Sequence, residues 1–282
     1  MLKSRSGLVL AAEKHYLAES RLMPIARKHG LFNLTGLVAK LKGPEAEALT
    51  VEVVEAMTTN ESFFFRDKSP FEQFRDTVMP ALMAARAASR RIRIWCAAAS
   101  TGQEPYSLAI GLREMGKDLK GWRVEIVATD LSNEVLEKAK AGIYSQFEVQ
   151  RGLPIQLLVK YFTQVGEMWQ ISPEIRAMVQ YRPLNLLQDF ASLGTFDAVF
   201  CRNVLIYFDQ DTKAGIFSRI SKMMEPDGVL ALGAAESVVG ITNVFKPYPE
   251  RRGLYRPNVA PAAPRVVSSA VTPPLRAVAA AR

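Results

Sequence analysis

The amino-acid sequence predicts an α/β protein: a main domain built on an open, doubly wound sheet, preceded by a small all-helical domain and carrying a small antiparallel β insertion. Three observations predict it. The run RIWCAAASTGQEPYSL, Arg93 to Leu108, reads as a buried strand, Ile92 to Cys96, then a turn of small residues, then a helix opened by Pro105. A second apolar strand, Val124 to Ala128, ends in Thr129-Asp130, and a third, Ala198 to Cys201, ends in Arg202-Asn203. Polar residues at successive strand ends mark the edge where a Rossmann-like sheet binds ligands.

Residues 1–57 read as helical, with apolar positions at helical spacing (Leu17, Leu22, Ile25; Leu34, Leu37, Val38, Leu41) and breaks at Gly30 and Gly43-Pro44. Thr58 to Phe74 changes character. Three adjacent phenylalanines, Phe63 to Phe65, cannot all point one way, and taken alone they read as an aromatic-packed hinge, with residues 58–75 a linker. A helix then runs from Ser69 to about Ala88, bent or broken at Pro80. The main domain spans 76–256. Its strand-helix alternation is interrupted at about 143–182 by the β insertion, with a short helix after Pro154 and a hairpin turning at Gly166. Sheet order resumes at Asn185 to Phe190, a helix covers Asp211 to Met224, and Pro226-Asp227-Gly228 turns into the strand Val229 to Leu232. The rest, to Arg256, reads as a closing hairpin. Residues 257–282 hold five prolines and neither an acid nor an aromatic, the composition of a flexible tail.

Bulk properties bound the function. With 282 residues, 49% hydrophobic and 23% charged, the chain is an ordinary soluble protein able to bury a sizeable core. It shows neither a membrane-span-length apolar run nor a signal peptide, and a cytoplasmic location is expected. Its two cysteines, Cys96 and Cys201, lie in apolar strands and read as buried thiols; its two histidines, His15 and His29, are far in sequence from the turn at Gly102. Neither histidine acid/base chemistry nor a metal site is expected. The net charge of +8 is unevenly placed: residues 1–42 carry eight basic residues, Lys3, Arg5, Lys14, Arg21, Arg27, Lys28, Lys40 and Lys42, against Glu13 and Glu19. Such a face attracts an acidic partner or is simply solvated.

The strand-end residues are Ala98 and Gly102 in the first turn, Glu104, Asp130, Asn185 and Arg202-Asn203. A carboxylate after the second strand accepts from ribose hydroxyls, or else caps the helix Ser132 to Ala141. A dinucleotide wants several glycines around its pyrophosphate, whereas this turn has one, followed by acidic Glu104. A carboxylate there repels a pyrophosphate but suits an ammonium or sulfonium cation, which favours S-adenosylmethionine.

The runs TTNESFFFRD, RIWCAAASTGQEPYSLA, ATDLS and FCRNVLIYF, in this order, resemble the CheR-type chemotaxis receptor methyltransferases over residues 5–256. The resemblance implies transfer of a methyl group from S-adenosylmethionine, leaving S-adenosylhomocysteine, to glutamate carboxylates on the cytoplasmic helices of methyl-accepting receptors. It assigns cofactor contact to Asn60, Ser62 and Arg66, making the linker a lid rather than a hinge. It places Glu104 by the methionine amino end, Asp130 by the adenosine, and Asn185-Leu186 and Asn203-Val204 along the remaining wall; Arg66, Arg202 and Tyr207 lie near the transferring methyl. Many relatives have threonine where Ser62 stands, and the hydroxyl is kept. A monomer acting on receptor helices is implied, with neither nucleic acid nor membrane insertion. Some relatives grip a receptor tail peptide with a longer, glycine-containing loop; here the loop Gln164 to Met168 is short, so no tail peptide is expected. Two other readings remain: a methyltransferase acting on another protein, a small molecule or nucleic acid, and a cofactor-binding module without activity.

Overall fold

The structure, a computed structural model, describes residues 1–44 and 46–258. The helices α1 (Leu2–Ser6), α2 (His15–Lys28), α3 (Leu34–Lys40) and α4 (Ala46–Met57) come first. Ile25, Ala26, Leu37, Leu49 and Val53 close a small core of their own between α2, α3 and α4. After the linker, α5 (Ser69–Gln73) passes through one π-helical stretch, Phe74–Val78, into α6 (Met79–Ala85). Pro80 therefore does not break this helix. The Met79 N–H reaches back to the Phe74 carbonyl, and this wider turn sits directly before the residue that has no N–H to give. The helix ends earlier than its pattern predicts, at Ala85, and the next residue, Arg86, clamps Asp197 (2.7 Å) and Asp227 (2.6 Å).

The main sheet holds β1 (Arg91–Ala97) and β2 (Arg123–Asp130), followed after the insertion by β6 (Val179–Pro183), β7 (Phe196–Cys201), β8 (Met224–Leu232), β9 (Phe245–Pro247) and β10 (Leu254–Pro257). Their order is β6-β2-β1-β7-β8-β10-β9; β6, β2, β1, β7 and β8 are parallel, while β10 and β9 add as an antiparallel end. Sequence alternation along β1 divides the core. Ile92, Ile94 and Cys96 face one layer, Trp95 and Ala97 the other, as a sheet covered on both sides requires. The helix α7 (Gln103–Glu114) follows β1, α8 (Asn133–Ala141) follows β2, and α12 (Gln210–Lys222) joins β7 to β8. The order in which strands are added reverses between β1 and β7, which are parallel, and this switch point is the crevice where such sheets take ligands.

The insertion is a separate three-stranded sheet of β3 (Ile143–Ser145), β4 (Phe162–Val165) and β5 (Met168–Ile171), with α9 (Gln146–Gln150), α10 (Ile155–Tyr161) and α11 (Pro173–Arg176) around it. Its hairpin is joined by only Gly166 and Glu167, since Val165 pairs with Met168.

Three sequence expectations are corrected. Asn185 to Phe190 is turn and coil, because Asn185 accepts the Leu187 N–H (2.9 Å) in a local turn. Pro226-Asp227-Gly228 lies inside β8 as an irregularity, where Phe196 pairs with Met224 and Ala198 with Val229. The chain stays in the sheet through Pro257, which pairs with Phe245; the rest of the expected tail, from residue 259, lies outside the described residues.

Candidate active site

The registers Ala97 with Thr129 and Ala97 with Cys201 bring three strand ends level, so the loops after β1, β2 and β7 open into one cleft. The linker covers it from one side and the segment after α1 from another. Non-glycine residues at positive φ gather in these loops: Phe65, Asp67 and Lys68 in the linker, Ala98 and Ser100 after β1, Asn203 after β7. Strain of this kind persists only where surrounding contacts enforce it.

Those contacts can be traced. The Ser100 hydroxyl donates to the Asn60 carbonyl (2.7 Å), and its N–H donates to Asp130 Oδ2 (2.8 Å). Asp130 Oδ1 accepts the Ser132 N–H (3.0 Å), while Ser132 itself caps α8. The capping alternative for Asp130 is thus taken by Ser132, and Asp130 instead joins two loops beneath the cleft. Burial pushes its carboxyl above the usual range.

The linker is not a loose hinge. Phe64 is fully buried against Tyr144 (5.0 Å) and Phe162 (5.5 Å) of the insertion, Phe65 packs on Phe71 (5.4 Å), and Phe63 lies under Arg66 and Arg151. The Phe65 N–H donates to the Ser107 hydroxyl of α7 (2.9 Å), and Arg21 of α2 donates to the Met57 and Thr58 carbonyls (both 2.9 Å). Gly152 touches the linker so closely that a Cβ there would lie 2.1 Å from the Phe64 carbonyl oxygen.

Arg202 lines the same cleft and is held there by three partners. Its side chain is about 1% exposed, and it donates to Glu104 (2.7 Å), Asp67 (2.8 Å) and the Arg66 carbonyl (2.9 Å). The guanidinium is a clamp between the cleft floor and the linker. Burial raises the Glu104 carboxyl above its ordinary range, and the Arg202 ion pair only partly opposes this. A largely buried carboxylate held that way accommodates a cationic group, so the donor set fits the amino end of S-adenosylmethionine. Arg66 gives one N–H to the Glu61 carbonyl (2.9 Å) and lines the cleft, as does Tyr207.

Of the other expected cofactor contacts, Asn60, Ser62, Ala98, Asn185, Leu186, Asn203 and Val204 all line the same cleft. Gly102 does not. It sits behind the wall at φ 95°, where a Cβ would meet Tyr181, Ala139 and Tyr144 within 3.1 Å. Its positive φ and this close packing against Ala139 of α8, Tyr181 and Tyr144 require a glycine there. Burial pushes the Cys96 and Cys201 thiols up, away from reactivity.

Sequence reasoning missed Glu236. Its carboxylate accepts four backbone N–H groups: Asn203 (2.8 Å) and Gly233 (2.7 Å) on one oxygen, Val204 (3.0 Å) and Leu205 (2.7 Å) on the other. It fixes the loop that carries Asn203 and leads to Tyr207. One signal was available, for Glu236 is the only acid between Asp227 and Glu250 and follows an apolar strand.

Comparison with known proteins decides the family. The model described as CheR methyltransferase, SAM binding domain, matches residues 60–254. The chain belongs to the CheR methyltransferase family. It is 45% identical over 249 residues to a chemotaxis protein methyltransferase 1 of Pseudomonas aeruginosa, covering 87% of this chain and 90% of that one. A protein of the same name from Vibrio cholerae is 39% identical over 248 residues, covering 87% and 89%. This CheR chain is therefore an S-adenosylmethionine-dependent methyltransferase of chemotaxis. No helix among its described residues is long and apolar enough to cross a membrane.

Proposed function

We propose that this chain methylates glutamate side chains on the cytoplasmic helices of methyl-accepting chemotaxis receptors. The observation that carries the reading is the absence of a free base among the described residues of the cleft. Its lining holds no histidine, cysteine or lysine, and its buried acids are engaged, Glu104 by Arg202 and Asp130 by two backbone N–H groups. An acceptor for this site must arrive already nucleophilic, with no proton to be removed first. A glutamate carboxylate does so near neutral pH.

The cofactor supplies an electrophilic methyl on a sulfonium. The chain's own residues then orient and desolvate. Carboxylate and sulfonium both lose their charge in the reaction, so a tight arginine pair to the acceptor would stabilise the ground state more than the transition state. Arg66 and Tyr207 are read as guides that hold the acceptor in line. Arg202 is read as positioning them through its bonds to Asp67 and the Arg66 carbonyl. The domain division inferred from sequence, 1–57, 58–75 and 76–256, stands in this proposal as helical receptor-facing unit, lid and catalytic unit.

The test is kinetic. Arg66→Ala and Tyr207→Phe should each cut turnover by about tenfold or more; S-adenosylhomocysteine affinity changes far less in Tyr207→Phe, whereas Arg66→Ala, which also removes a cofactor contact, weakens it. A double variant running at full rate would overturn these assignments.

A further inference from the structure

A segment that precedes the residues matched by the family model, 60–254, and holds no site residue inferred from sequence builds one wall of the cleft. α1 ends at Gly7, whose φ of 78° reverses the chain. From there the backbone crosses the sheet edge as a strap. Ser6 and Leu8 line the cofactor cleft beside Tyr207 and Phe208. The Val9 N–H donates to the Tyr207 carbonyl (3.0 Å), and the Arg5 carbonyl accepts from the Asn185 side chain (2.6 Å). Lys3 pairs with Asp209 (2.6 Å), two residues beyond Tyr207. At Gly7 a Cβ would meet Leu187 and Phe208 at 3.0 Å, so the strap is seated without spare room.

The strap thus touches both walls that the catalytic reading depends on, Asn185 on one side and Tyr207 on the other. Leu8 and Tyr207 also line a second hollow, with Val9, Leu17 and Met57, on the side of α2. They stand as the partition between that hollow and the cleft. We propose that Ser6–Val9 is a cofactor-binding and positioning element: Leu8 walls the bound cofactor, and the Val9 backbone sets where Tyr207 stands. This rests on Tyr207 guiding the acceptor, but the cofactor half of it does not.

The experiment separates the two. Val9→Pro removes the N–H that holds Tyr207, whereas Val9→Ala keeps it. In the full chain, Val9→Pro should lower turnover by about tenfold or more and weaken S-adenosylhomocysteine binding measured calorimetrically, with Val9→Ala losing far less on both. Leu8→Ala should weaken S-adenosylhomocysteine binding even where no receptor substrate is methylated, so failure of the receptor reading leaves this arm intact. Equal losses in the two Val9 variants would overturn the backbone role. Unchanged S-adenosylhomocysteine affinity in Leu8→Ala would overturn the wall. Should Val9→Pro not fold, hydrogen exchange on the unmodified protein decides: the Val9 amide gains protection when S-adenosylhomocysteine binds, and no gain contradicts the proposal.

Discussion

Glu104 concentrates the electrostatics of the site in one side chain. Largely buried on the cleft floor and paired with Arg202, it is held above the ordinary carboxyl range by desolvation. A cationic ligand and a proton compete for it. Cofactor affinity should therefore fall as pH drops through this raised value, and level off above it. Asp130, raised by burial as well, contributes the remaining slope. Without ligand the sign is opposite. A carboxyl whose folded pKa exceeds its unfolded one binds protons more tightly when folded, so both groups oppose folding as pH rises through that window. Calorimetric titrations of S-adenosylhomocysteine across pH check the first statement: Glu104→Gln should weaken binding by about tenfold or more and flatten the profile. A variant with the same pH dependence as the parent would remove Glu104 from cofactor recognition. The charge of Glu104 was legible in the sequence. That Arg202 would bind it was not, because sequence reports charge without burial and these two residues are joined only by the β1–β7 register.

At the scale of elements, the linker is held by parts distant in sequence: Arg21 in α2, Ser107 in α7, and Phe162 and Gly152 in the insertion. The insertion therefore has a structural task at the lid besides whatever it presents outward. Gly152→Ala tests this coupling, since the added methyl meets the Phe64 carbonyl at a left-handed backbone position. The expected loss is about 1–3 kcal/mol of stability, together with weaker S-adenosylhomocysteine binding through the displaced linker. Loss of stability with unchanged affinity would mean the insertion supports the fold but not the lid. The strands and their helices were legible because apolar runs and turn residues are local signals. Glu236 and the Ser6–Val9 strap were not. A carboxylate that bonds backbone leaves no periodic pattern, and the strap meets its partners across some 180 residues or more of sequence.

Across the whole molecule, the basic surface of residues 1–42 is smaller than its composition implies. Lys3 pairs with Asp209, Arg5 with Glu47 and Lys28 with Glu52, and Arg21 holds the linker. Among the described residues half of the eight basic residues are engaged within the fold, and in the proposed reading Lys14, Arg27, Lys40 and Lys42 are the cations offered to an acidic receptor surface. Binding to receptor helices should weaken with salt, and less steeply than eight free cations would require. The most direct measurement is methyl transfer from labelled S-adenosylmethionine to an isolated chemoreceptor cytoplasmic domain, with the modified residue located by mass spectrometry. The account predicts base-labile methyl esters on glutamate side chains, formed by the intact chain and at a rate about tenfold or more lower with Arg66→Ala. Label on any other residue type, or none on the receptor while the enzyme binds its cofactor, would contradict it.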